Sequence, residues 1–143
     1  PDIPAGRASQ VGWLFDDPIV IAKNYYARTG IFPIMHVVGV RKELVQQHPW
    51  LPAALFKAFG ESKARALELL ADTSATKVTL PFVEEQLKAA RELLGEDFWS
   101  YGVAPNTRTI EAFLRHHHAQ GLSARKVELS ELFHPSTYES YSI

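Results

Sequence analysis

The apolar positions follow two different periods, and each predicts a different element. In "DDPIVIAKNYYARTG", Asp17 stands where an N-cap belongs, Pro18 at the first helical position and Gly30 just past the end, so a helix is predicted over residues 18–28. The next run, "IFPIMHVVGV", is short, continuous and rich in β-branched residues, which favours a buried strand at 32–41. Pro33 donates nothing to a ladder and belongs at the start of that strand or on an edge. The run then turns directly into a helix at "RKEL".

Helical spacing returns in "HPWLPAALFKAFGESKARALELLAD". Pro49 and Pro52 suit an opening turn, and Leu55, Phe59, Ala66, Leu69 and Leu70 mark the stripe of the longest helix. Pro81 opens another, "PFVEEQLKAARELLG", with Val83, Leu87, Ala90 and Leu94 on one face, Glu84 and Glu85 in the first turn and Gly95 as the stop. "PNTRTIEAFLRHHHAQG" predicts a third, capped by Asn106 or Thr107, burying Ile110, Phe113, Leu114 and His117, with Gly121 as its C-cap. The tail carries one short turn near Ser130–Phe133. A lone strand among helices leaves its backbone donors and acceptors unpaired. Its ladder partners are therefore expected from further chain or from a second copy. Pro1–Gly6 reads as a loop entered midway, so residues upstream are expected.

Composition narrows the classes. At 143 residues and 46% hydrophobic, the chain is the size of one domain able to bury a core. Fifteen basic and 16 acidic side chains, interspersed, form no stripe that would neutralise a phosphate backbone, which argues against nucleic acid as a partner. No apolar run approaches the roughly 20 residues of a membrane span, and "PDIPAGRASQ" lacks the features of a secretory signal. With no cysteine, disulfides, thiolate metal sites and cysteine nucleophiles are excluded.

Among residues that carry chemistry, His116, His117 and His118 lie about 100° apart on a helix and do not converge on one metal. His48 and His134 each precede a proline, where an imidazole caps or shields backbone. Tyr25, Tyr26 and Trp50 read as packing. His36 differs. On a strand beside Met35 and Val37 it would be desolvated, and a neighbouring carboxylate would act in the opposite sense, which suits proton exchange near neutral pH. A core histidine bonded to a backbone carbonyl is the competing reading. Arg28 and Arg41 bracket the same strand, and a guanidinium grips a carboxylate bidentately. Thr29, next to Arg28, is added as a further substrate contact. No Gly-rich phosphate loop, H-E-x-x-H pair or nucleophile elbow is present.

The stretches "YYARTGIFPIMHVVGVRKELVQQHPWLPAALFKAF", "GEDFWSYGVAPNTRTIEAFLRHHHAQGLSARKVELSELFHPSTYES" and "KVTLPFVEEQLKAARELLG" resemble the C-terminal part of the 4,5-dihydroxyphthalate decarboxylase family. "GIFPIMH" followed by "HPWL" and "YGV" is the distinctive combination. The resemblance implies an α/β fold of the type II periplasmic-binding-protein kind, two lobes around a cleft, of which this chain would be a mainly helical part with one or two strands. Residues 1–30 would be the end of the second lobe and the hinge, and 31–143 the C-terminal half of the first lobe.

The resemblance also implies a cytoplasmic lyase of phthalate degradation acting on a small aromatic dicarboxylate, with no membrane partner. The decarboxylation needs no cofactor in principle, and a divalent metal chelated by catechol oxygens is left open. His36 is then the expected catalytic group, with Arg28, Arg41 and Thr29 on the substrate. Two alternatives stand beside it: a transporter's solute-binding protein for an aromatic or other organic anion, and an inactive lobe fragment that covers its strand edge as a homodimer.

Overall fold

The computed structural model describes residues 6–74 and 79–138, apart from the side chain of residue 8. They divide into two compact units, residues 1–31 and 32–143. The first unit holds a short 3-10 turn, Ala8–Gln10, and helix α1, Pro18–Thr29. Asp17 caps α1 as its position predicts: its Oδ1 accepts from the amides of Ile19 and Val20, both at 3.0 Å. At the other end Gly30 takes the left-handed conformation, φ 63° and ψ 19°, and its N–H returns to the Tyr26 carbonyl at 2.7 Å.

The second unit holds α2 (Lys42–Gln47), α3 (Leu51–Ala71), α4 (Val83–Leu94) and α5 (Thr107–Ala119), with 3-10 turns at Ala104–Asn106, Leu129–Glu131 and Pro135–Thr137. Its core is small: Val103, Ile110 and Leu114 are 5–7% exposed, with Val127, Leu129, Phe133 and Tyr138 packed around them. Two backbone bonds tie the tail into this core, from Val103 N–H to Thr137 O at 3.4 Å and from Ala104 N–H to Tyr138 O at 3.0 Å. Asn106 does not cap α5 through its side chain; its Nδ2 instead donates to the carbonyls of Ser100 and Gly102, at 3.0 and 2.8 Å, and so shapes the loop that enters the helix.

Three expectations need correction. Among the described residues there is no strand, and residues 32–40 make no backbone hydrogen bond with one another or with any other described residue. A strand exists only through its ladder, and the described residues offer that segment no partner. The described fold is thus mainly helical.

The stripe of α3 is displaced in part. Leu55, Leu69 and Leu70 are half-buried as expected, but Phe59 and Ala66 are exposed, and Pro52, Phe56, Gly60, Lys63 and Leu67 are turned from solvent beside them. The helix has apolar residues on more than one side, and the side that meets the 97–103 loop and the Pro135–Thr137 turn is the one buried. In α5, Ile110 and Leu114 are buried as expected, but Phe113 is 62% exposed and rests its ring against His117 at 5.5 Å, while Ala112 is buried. Helix α4 keeps its predicted half-buried stripe and begins at Val83, after Phe82 in an unusual left-handed conformation at φ 65°.

Candidate functional site

The residues expected to carry chemistry fall in both units. Arg28 and Thr29 lie in the last turn of α1. Arg28 is exposed, at the helix end where a cation also complements the dipole. The Thr29 hydroxyl donates to Tyr25 O at 2.7 Å and accepts from Ile31 N–H at 3.1 Å, so it finishes the helix. In the second unit His36 lies on the exposed segment and Arg41 is the extended N-cap of α2, with φ −61° and ψ 133° and no side-chain capping bond. The side chains of His36, Arg28 and Arg41 form no hydrogen bond or ion pair with another described residue, while the Arg41 carbonyl accepts from the amides of Leu44 and Val45.

The enclosure expected of His36 on a buried strand is not observed: His36 is exposed, and its neighbours Met35 and Val37 are 57% and 71% exposed. Five large apolar side chains of the segment, Phe32, Ile34, Met35, Val37 and Val38, face outward. An apolar run of this kind, with no backbone partner, is a surface built to be covered.

The other histidines behave as structural groups. His134 Nδ1 accepts from Ser136 N–H at 3.3 Å and caps the Pro135–Thr137 turn. His48 ends α2 and tilts against Trp50 at 5.8 Å. His117 is half-buried while His116 and His118 are exposed, and among the described residues no three His, Asp or Glu side chains converge as metal ligands.

One charged cluster was not anticipated. Lys63, on the inner stripe of α3, is only 18% exposed; its Nζ donates to Asp97 Oδ1 at 2.6 Å and to Trp99 O at 3.2 Å, and stands 4.9 Å from the centre of the Tyr101 ring. Trp99 in turn meets Phe32 edge-to-face, with ring centres 5.8 Å apart. The cluster therefore reaches the start of the His36 segment. Its signal was present in the sequence, since Lys63 sits seven residues after Phe56 and seven before Leu70, a cation in line with apolar residues. Elsewhere a shallow groove of about 360 Å³ lies between the end of α3 and α4, lined by Leu70, Leu87, Lys88 and Arg91, and it contains none of the expected residues.

Chain comparison adds what this geometry leaves open. Over 134 residues, 94% of its length, the chain is 58% identical to a 4,5-dihydroxyphthalate decarboxylase of Comamonas testosteroni. The likeness to that decarboxylase is close. It covers 41% of the relative, so the chain spans about two-fifths of the length of the curated decarboxylase it matches. No protein-family model matches the chain.

Proposed function

We propose that this chain is the C-terminal part of a carboxy-lyase that removes one ring carboxylate from 4,5-dihydroxyphthalate, giving 3,4-dihydroxybenzoate and carbon dioxide. The observation that carries the reading is the 58% identity to the Comamonas decarboxylase over nearly the whole chain. Direct loss of the carboxylate would leave an electron pair in the ring plane, without π stabilisation. A lower path adds a proton to the carbon bearing the carboxylate while the para hydroxyl feeds electrons into the ring. The bond to the carboxyl carbon then breaks, carbon dioxide departs, and the electron pair restores aromaticity.

Such a path calls for a proton donor at that carbon, a contact that polarises the para hydroxyl, and cations for a dianionic substrate. His36 takes the first or second role in this proposal. Arg28 and Arg41 anchor carboxylates, and Thr29 is a substrate contact. The exposed, unpaired segment 32–40 supports a finer reading of the fold: it becomes an inner strand of a two-lobed, periplasmic-binding-protein-like sheet whose other strands come from outside the matched region, and its His36 then faces the cleft.

The test is to incubate the full-length gene product with 4,5-dihydroxyphthalate, with and without chelator, and to measure 3,4-dihydroxybenzoate. Absence of product under both conditions refutes the activity. His36→Asn should lower turnover by about 100-fold if the imidazole transfers the proton. Unchanged turnover removes it from the mechanism.

A further inference from the structure

We infer that Lys63 is a positioning residue for the segment that bears His36, acting through Trp99 and Phe32. Its kinetic consequence rests on the decarboxylase reading; the anchor itself does not. Among the described residues, segment 32–40 has no backbone hydrogen bond to hold it, and only at Phe32 does one of its side chains make a ring contact. That contact is with Trp99, and Trp99 is fixed from the other side by Lys63, whose ammonium takes the Trp99 carbonyl at 3.2 Å and Asp97 at 2.6 Å.

Lys63 is well suited to this. Its stem lies along the inner stripe of the 21-residue helix α3, so one end of the clamp is a rigid element. Its ammonium donates to the Asp97 carboxylate and the Trp99 carbonyl and lies over the Tyr101 ring, three contacts that oppose motion of the head group. At 18% exposure Lys63 is the least exposed partner of any ion pair among the described residues. Phe32 precedes His36 by four residues, and Pro33 follows it at once with a fixed φ, so a shift of Phe32 is passed into the segment rather than absorbed next to it.

The full-length gene product, labelled at phenylalanine and tryptophan, provides the test. In the wild type the Phe32 and Trp99 ring protons should give cross-relaxation peaks by NMR. Lys63→Met keeps the stem and removes the donors; it should abolish those peaks and lower kcat about tenfold, with KM for 4,5-dihydroxyphthalate within about twofold. Lys63→Arg, which retains donors and charge, should restore most of both.

Phe32→Leu changes an exposed ring and leaves Lys63 and its partners in place. It should reproduce the kcat loss at an unchanged melting temperature, which decides the matter if Lys63→Met fails to fold. Cross-peaks that survive in Lys63→Met, or a kcat that neither Lys63→Met nor Phe32→Leu lowers, overturn the inference. A wild type without turnover refutes the decarboxylase reading instead, and the cross-peaks then decide the anchor by themselves.

Discussion

At Gly102 the backbone takes φ 96°, and a Cβ added there would lie 3.3 Å from Phe56 Cζ on α3. The position therefore disfavours a side chain by its conformation, and a Cβ would also press on Phe56, in the loop that Asn106 braces and that carries Trp99 and Tyr101. Gly102→Ala should destabilise the protein by about 1–2 kcal/mol, seen as a lower urea midpoint with little change in slope. An unaltered midpoint would show that the loop relaxes without cost. Asp17 is legible from sequence alone, because an N-cap needs only a carboxylate ahead of a Pro-led helix start; Asp17→Ala should cost about 1 kcal/mol of α1 stability, read by amide exchange of Ile19 and Val20. Gly102 was not legible in that way, because the ring on which a Cβ would press comes from a helix more than 40 residues earlier.

Among the elements, the Leu129–Glu131 turn joins the packing of Leu129 on the core to an exposed ionic clamp. Glu131 receives both Arg125 guanidinium nitrogens, at 2.9 and 2.7 Å, and the Glu128 amide at 2.8 Å, and Glu128 returns the bond to the Glu131 amide. The Arg125 hydrogen bonds, and then the Glu128 amide, hold the Glu131 carboxyl well below its ordinary value of 4.5, at about 2. A carboxylate depressed in the folded state contributes stability above its unfolded value, and the contribution is lost as pH falls from about 4.5 towards 2. The pair is exposed and screened, so the effect should be local. The Glu128 amide resonance should titrate with a midpoint near 2; a midpoint at 4.5 would mean that the pairing does not persist in solution.

Helix α3 shows a different kind of element. Its apolar residues lie on more than one side, and periodicity located a helix there but only part of the face that is covered. The choice went to the side where Phe56 meets Gly102 and Lys63 meets Asp97, contacts set by a loop that no spacing rule within α3 can foresee.

Over the whole molecule, the disproportion between apolar content and enclosed core is the main finding. Nearly half of the sequence is hydrophobic, at 46%, yet within the second unit the core is a few residues around Val103, Ile110 and Leu114, and the run from Phe32 to Val38 stays uncovered. Such a run is expected to be covered in the full-length protein. Met35, the single methionine and 57% exposed here, reports on it: peroxide should oxidise it quickly in this chain and at least about tenfold more slowly in the full-length gene product, measured by mass spectrometry. Equal rates would mean that the segment stays open and would remove the support for an inner strand.

The sequence by itself determined where helices start and stop, because caps, prolines and glycines act on the few residues beside them; Asp17, Gly30, Gly95 and the stripe of α4 follow from local chemistry. It also marked an apolar run at 32–41, read there as a buried strand, and singled out His36 as a candidate. Only the tertiary structure decided that this segment has no ladder, that α3 buries the face bearing Lys63, and that Lys63, Trp99 and Phe32 form one chain of contacts. A strand and a buried face are relations between distant parts of a chain, and a residue's own neighbours in sequence do not carry them.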